Sequence, residues 1–186
     1  MFFQILKERC VLLVLFLVIC GIPSPAFADV DKSVKKDVKD AEHFFNLGVA
    51  NGKSGKIQEA ADAYEQSIRI KPDFAAAHYN LGHAYRKLGK NQDALDAFKQ
   101  AIRIRPDLAS AHENLGATYL VLGKKQKAID AYKQAIRIKP DLASAHFSLG
   151  VTYLITKDKG SARDQYEILK DLDKEKANKL FKLINP

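Results

Sequence analysis

The chain has 186 residues, 47% of them apolar, and a formal net charge of +8. This apolar fraction is enough for a folded core, which excludes a wholly disordered chain. The positive charge alone does not separate nucleic acid, anionic lipid and plain solubility as its cause.

The start of the chain differs in character from the rest. Two cations precede an apolar run from Val11 to Ile22, and Ala26-Phe27-Ala28 supplies a small-x-small cleavage site. These are the features of an export signal, so we predict a signal peptide over residues 1–28 and a periplasmic or secreted chain after cleavage near Ala28. The alternative is an uncleaved segment that anchors the chain, although the run falls short of the roughly 20 apolar residues of a full span.

A short charged segment, residues 29–40, follows the leader. Its valines Val30, Val34 and Val38 recur four residues apart, which is the spacing of a weakly amphipathic helix. Because three valines bury little apolar area, we interpret the segment as a charged, solvated spacer, with the helix as the alternative.

From Ala41 the sequence repeats itself every 34 residues. The stretch AYEQSIRIKPDFAAAHYNLG at 63–82 returns with few changes at 97–116 and again at 131–150. Self-similarity at a fixed period of this length is typical of solenoids, which are built from stacked copies of one unit. Four repeats are predicted, at 41–74, 75–108, 109–142 and 143–171.

Each repeat predicts a pair of antiparallel helices. A glycine at the eighth position and an alanine at the twentieth, such as Gly48 and Ala60, would let the two helices approach closely. A glycine suits the left-handed residue between the helices, and a proline ends the second helix. We expect the aspartate after that proline to cap the next helix. The turn glycines are Gly55, Gly89 and Gly123; the prolines are Pro72, Pro106 and Pro140; the aspartates are Asp73, Asp107 and Asp141.

The pattern resembles the tetratricopeptide repeat family. In the second repeat the signature consists of Leu81-Gly82, Tyr85, Ala94, Phe98, Ala101 and Pro106, and the third repeat matches it closely. The resemblance implies an all-α fold, a right-handed superhelical solenoid of about four helix-turn-helix repeats. The fourth repeat departs from the family pattern, because Lys157 replaces the turn glycine and no proline closes it.

The tail, residues 172–186, predicts a capping helix. Ala177, Leu180, Phe181 and Ile184 would share one helical face. Solenoids need such an end unit to cover the last exposed repeat.

No catalytic constellation, cofactor site or metal site is predicted, and the chain is expected not to be an enzyme. His78, His112 and His146 recur one per repeat, and stacking would separate them by roughly 8–10 Å per step. A metal ion needs its ligands within about 2 Å, so we predict a packing role for these histidines. Cys10 and Cys20 both lie in the leader, so the cleaved chain would have no thiol.

The resemblance implies a concave groove lined by the first helices of successive repeats, which accepts peptides. Asn46, Asn80 and Asn114 could pair with a peptide backbone, or could bond only within their own helix pairs. The aromatic residues could anchor a partner, or could pack between repeats. The predicted groove residues are Phe45, Asn46, Val49, Tyr79, Asn80, His83, Arg86, Glu113, Asn114, Ala117, Leu120, Phe147 and Val151.

One specialised function of the family is disfavoured. Members that bind chaperones clamp a C-terminal carboxylate with lysines, asparagines and an arginine. The corresponding positions here hold Phe45, Val49, Ser110 and Asn114, and only Asn80 fits that set.

Two cations precede every closing proline and form a predicted basic stripe. They could simply complement the dipole at the end of each second helix, for about 0.3–1 kcal/mol each. The alternative is weak contact with an anionic surface such as lipid headgroups. The stripe consists of Arg69, Lys71, Arg103, Arg105, Arg137 and Lys139.

The sequence therefore predicts a non-catalytic scaffold or adaptor of the cell envelope that binds a protein or peptide partner in its groove. The first alternative is a surface-association module that uses the basic stripe. The second is a non-catalytic subunit of an envelope enzyme. No nucleic acid partner and no cofactor are expected.

Overall fold

The computed structural model describes the backbone of residues 25–186 and the side chains from Lys36 onward. Most of the predicted signal peptide, residues 1–24, lies outside the described residues. Every helix or strand assigned within residues 25–186 is an α-helix. The helices are α1 (Pro25–Lys53), α2 (Ile57–Ile70), α3 (Ala75–Lys87), α4 (Asn91–Ile104), α5 (Ala109–Val121), α6 (Lys125–Ile138), α7 (Ala143–Ile155), α8 (Lys159–Leu172) and α9 (Lys174–Ile184).

The chain divides into two compact units, Met1–Asp40 and Ala41–Pro186. In the described part of the first unit, residues 29–40 are helical and belong to α1, and Lys36, Asp37, Lys39 and Asp40 are exposed. None of the helices described between residues 25 and 186 combines the length and the apolar character that crossing a membrane requires.

The second unit is the predicted all-α solenoid. Helices α1 and α2, α3 and α4, α5 and α6, and α7 and α8 form four successive pairs, and α9 follows as the cap. The predicted turn glycines are confirmed, since Gly55, Gly89 and Gly123 have φ angles of +76°, +76° and +72°. Lys157 takes the same left-handed conformation in the fourth repeat, with φ of 65°. The backbone turn is therefore kept where the glycine is lost.

The two helices of a pair meet where an aromatic ring covers a glycine. A Cβ atom added to Gly82 would lie 2.7 Å from Phe98 Cε1, and one added to Gly48 would lie 2.6 Å from Tyr64 Cε1. Phe98 is completely buried. We had predicted that Gly48 faces Ala60, and this was wrong in detail. The glycine is needed because the flat ring of the twenty-fourth position lies against the helix backbone.

The predicted aspartate caps are wrong. The residues at the N-cap positions of α3, α5 and α7 are Phe74, Leu108 and Leu142, and none of them caps with its side chain. The aspartates Asp73, Asp107 and Asp141 stand one residue too early for their carboxylates to reach the first turn. Their backbone carbonyl oxygens accept bonds from the first residue of each helix instead, at 2.9–3.1 Å.

The recurring histidines hold the turns between repeats. The Nε2 atom of His78 donates to the carbonyl oxygen of Pro72 at 2.9 Å. His112 makes the same bond to Pro106 at 3.0 Å, and His146 to Pro140 at 2.9 Å. Because proline ends the preceding helix, its carbonyl oxygen needs a partner from outside that helix. The histidine supplies one in each copy.

The capping helix α9 buries three of its four predicted residues. Ala177, Leu180 and Ile184 are 0–2% exposed, whereas Phe181 is 48% exposed. The prediction for Phe181 was therefore wrong. Its ring packs beside Tyr166, with centroids 5.4 Å apart. Leu180 does the work of the aromatic ring in the fourth repeat, since a Cβ on Gly150 would lie 2.6 Å from Leu180 Cδ2.

Candidate functional site

The first helices of the first two repeats enclose a pocket of about 250 Å³. The helix pattern that buries one face of α1 and α3 leaves their last two turns lining this opening. Its walls are mainly apolar, with two amide or imidazole groups and two lysines. The lining residues are Val49, Gly52, Lys53, Ile57, Ala60, Tyr64, Asn80, His83, Ala84 and Lys87. The structure thus brings the predicted groove residues Val49, Asn80 and His83 together.

The predicted aromatic anchors are partly used in packing between repeats. Phe45 lies 4.9 Å from Phe74 between ring centroids. The Tyr79 ring meets the edge of His83 at 4.7 Å, and both rings meet Phe98 at 5.9 and 5.4 Å. Each of Phe45, Tyr79 and His83 stays half-buried, so each keeps a surface that a partner could contact.

His83 is held neutral by its surroundings. Burial lowers its pKa to about 4, and the positive charges of Arg86 and Lys87 lower it further in the same direction. Lys53 lines the same pocket and adds a third cation near the ring. At neutral pH the imidazole is therefore an uncharged donor and acceptor.

The depressed pKa of His83 makes stability depend on pH. The ring takes up a proton near pH 6.5 in the unfolded chain but only near pH 4 in the folded chain, so stability should fall as the pH drops from 6.5 to 4. The expected loss is at most about 3 kcal/mol. Denaturant melts at pH 7.5, 5.5 and 4.5 measure it. The variant His83→Gln should lose less stability over that range than the unaltered chain, and equal losses would contradict the assignment.

The three predicted groove asparagines have different surroundings. Asn46 is exposed. Asn80 contacts the Tyr64 hydroxyl and offsets part of the rise that burial causes in the pKa of that group. Asn114 donates through Nδ2 to the Ser110 carbonyl oxygen at 2.8 Å and to the Tyr79 hydroxyl at 3.3 Å. Both amide protons of Asn114 are thereby used inside the protein, and its carbonyl oxygen remains for a ligand.

The second half of the predicted groove is less polar. Leu120 packs beside the cluster of Ile129, Tyr132 and Leu149. Phe147 and Val151 pack against the cluster that includes Leu180 of the cap. Ala117 and Glu113 are half-buried between these regions. Phe147 and Val151 are therefore shared between groove and cap, which the spacing of the repeats did not indicate.

The cations of the predicted basic stripe are mostly exposed, and several have local partners. Arg103 Nε donates to Gln100 Oε1 at 2.8 Å, and Arg137 Nε donates to Gln134 Oε1 at 2.9 Å. Lys71 Nζ lies 5.2 Å from the centre of the Phe74 ring. Arg69, Arg105 and Lys139 complete the set on the ends of the second helices and the residues that follow them. The stripe lies in sequence register, one pair of cations per repeat.

Sequence reasoning missed Lys53 and Lys87 as site residues. They occupy the same thirteenth position of successive repeats, 34 residues apart, and that spacing was a usable signal. No group of three or more histidine, cysteine or acidic side chains that could hold a metal ion occurs in the described part of the chain. The pocket offers hydrogen-bonding groups, cations and apolar walls, which together suit recognition of a peptide side chain.

The geometry defines a class of protein: a helical-repeat solenoid whose inner helices leave a pocketed groove. Family models described as tetratricopeptide repeat match residues 73–141 and 119–177, and one described as TPR repeat matches residues 52–89. Together they cover residues 52–177, which is more than half of the chain. The chain belongs to the tetratricopeptide repeat family.

Solved structures share this fold. A crystal structure of MamA is 28% identical with a TM-score of 0.71, and the match covers 80% of this chain and 86% of that one. A tetratricopeptide repeat protein from Parabacteroides merdae is 20% identical with a TM-score of 0.72, covering 78% of this chain and 59% of that one. The first TPR domain of Spaghetti (RPAP3), bound to an HSP90 peptide, is 22% identical with a TM-score of 0.63, covering 64% and 95%. No curated protein matches the sequence.

Proposed function

We propose that the chain is a non-catalytic scaffold that binds a peptide or helix of a partner protein in the concave groove. The pocket of about 250 Å³ between the first two repeats carries this proposal, because it is large enough to admit a side chain. Binding sites of this kind combine apolar walls with a few placed polar groups. Peptide binding by the RPAP3 domain supports the same use of a similar fold.

The place of action we propose is the cell envelope. The support is the sequence pattern of the leader, which combines cations, an apolar run and the Ala26-Phe27-Ala28 site. Fractionation of cells that express the chain, followed by N-terminal sequencing, tests this. A mature N-terminus near Asp29 in the envelope fraction is expected. A cytoplasmic chain that retains Met1 would refute the location and leave the groove proposal untouched.

A pull-down from an envelope extract tests the groove. The immobilised full-length chain should retain one or a few proteins at high salt, because recognition by apolar and backbone contacts resists screening. A groove variant, Asn46→Ala/Asn80→Ala/Ala117→Arg, should lose them. The matched control Gln58→Ala/Gln92→Ala/Gln126→Arg makes the same types of change on exposed positions of the second helices and should retain them.

The result can also favour the basic stripe. If only lipid or polyanion is retained, if it elutes at moderate salt, and if the groove variant behaves like the control, the groove proposal is wrong. Charge reversal at Arg69, Arg103 and Arg137, which are exposed, would then abolish retention. Co-purification of a catalytic protein through the groove would identify the client as an envelope enzyme.

A further inference from the structure

The last turns of the first helices change in chemistry along the solenoid. In the first two repeats this edge carries Lys53, Arg86 and Lys87. At the equivalent places the third repeat has Leu120 and Val121, and the fourth has Leu154 and Ile155. The edge is therefore cationic in its first half and apolar in its second.

The apolar half of this edge is exposed to an unusual degree. Val121 is 62% exposed and Ile155 is 42% exposed. Leu120 and Leu154 beside them are half-buried and lean against the clusters of their own repeats. Large apolar side chains in a contiguous exposed patch are typical of a binding surface.

The cationic half has charge to offer. Among residues 36–186, no acidic side chain forms an ion pair with Lys53, Arg86 or Lys87. Glu42 lies on the same helix as Lys53, but eleven residues earlier, which is about 16 Å along the axis. Glu113 raises the pKa of Lys176 on the capping helix and therefore acts towards the other end of the solenoid. His83, with its pKa lowered to about 4, adds no charge at neutral pH.

Lys53 and Lys87 also border the pocket, whose walls include Val49, Ile57 and Tyr64. A carboxylate at this rim would lie near two cations, and the stem of its side chain could occupy the apolar interior. Charge complementarity of this type favours an acidic partner and steers its approach.

We propose that the groove selects an extended peptide segment with two chemically distinct blocks. An acidic block lies on the first two repeats against Lys53, Arg86 and Lys87. An apolar block lies on the last two repeats against Val121 and Ile155. The proposal rests on the groove function above and specifies the chemistry of its ligand.

The spacing of the repeats sets the length of this segment. Three steps of about 8–10 Å between packed helices separate the first repeat from the fourth. An extended chain rises about 3.3 Å per residue, so about eight residues span the edge. Four acidic residues next to four apolar ones would match the two halves.

Synthetic peptides test the preference for blocks. One twelve-residue fluorescent peptide contains four aspartates followed by four leucines between neutral ends, a second has the blocks in reverse order, and a third alternates the same residues. Fluorescence anisotropy with the full-length chain should show one of the block peptides binding at least about tenfold more tightly than the alternating one. Equal binding by all three, or binding by none, would overturn the proposal.

Variants locate the contact. Lys53→Glu/Lys87→Glu should weaken the preferred block peptide by about tenfold or more, because two attractive contacts become repulsive. The matched control Lys99→Glu/Lys133→Glu makes the same charge change on exposed residues of the second helices and should have little effect. Val121→Asp/Ile155→Asp should also weaken binding. Circular dichroism checks that each variant is folded.

The pull-down separates failure of this proposal from failure of the groove function. A client that is lost with the groove variant but retained by Lys53→Glu/Lys87→Glu would sustain a groove scaffold and overturn the two-block ligand. The absence of any client sensitive to the groove variant would overturn the groove function itself, and the ligand preference with it.

Discussion

Replacement of Phe98 by alanine is expected to destabilise the protein by about 3–5 kcal/mol. The ring is 0% exposed and belongs to the buried cluster formed by Ala94, Leu95 and Leu115. Its removal leaves a cavity that a helix pair spaced by an alanine and a glycine cannot easily close. Urea denaturation followed by circular dichroism measures the loss. Phe181→Ala serves as the control, since Phe181 is 48% exposed and should cost far less.

A second substitution tests why glycine stands opposite the ring. Gly82→Ala places a Cβ atom 2.7 Å from Phe98 Cε1, so overpacking should cost about 1–3 kcal/mol. In the Phe98→Ala background the obstacle is gone, and the higher helix propensity of alanine should make the same change favourable by about 1 kcal/mol. The effect of Gly82→Ala should therefore change sign. A cost that is the same in both backgrounds would show that the ring does not explain the glycine.

The second large effect is expected in the capping helix. Leu180→Ala should cost about 2–5 kcal/mol, because Leu180 is 0% exposed and fills the place beside Gly150 that an aromatic ring fills in the earlier repeats. The loss should be concentrated in the last repeat, since each repeat of a solenoid is stabilised by its neighbours. Hydrogen exchange should show faster exchange in α7, α8 and α9 than in α3 and α4.

Leu183 provides a matched control in the same helix. It is 52% exposed, so Leu183→Ala should change the free energy of unfolding by less than about 1 kcal/mol. Similar losses at Leu180 and Leu183 would mean that α9 does not pack on the fourth repeat in the way described. A Leu180→Ala variant with unchanged exchange in α7 would lead to the same conclusion.

The groove and the core place different demands on the same helices. Gly82 and Ala84 on one face of α3 are buried against the packing elements, while Tyr79, His83 and Arg86 on another face remain half-buried. The core positions recur in every repeat because every repeat must pack. The groove-edge positions change from lysine to valine and isoleucine along the chain, so they are free to carry specificity.

The sequence by itself determined the repeat length, the all-α class, the turn positions and the presence of a cap. These follow from local chemistry: a proline that stops a helix, a glycine that adopts a positive φ, and a period of 34 residues. The thirteenth-position lysines were also visible in the sequence at that period. Their significance was missed because nothing local marks Lys53 and Lys87 as neighbours of a pocket.

Only the tertiary structure decided the contacts between elements. The aspartates after the prolines do not cap, because Phe74, Leu108 and Leu142 hold the N-cap positions. Asn114 spends its amide protons on Ser110 and on Tyr79 of the preceding repeat. Phe181 stays exposed while Leu180 is buried. Each outcome depends on which side chain of a neighbouring helix arrives at the same point, and residues distant in sequence settle that.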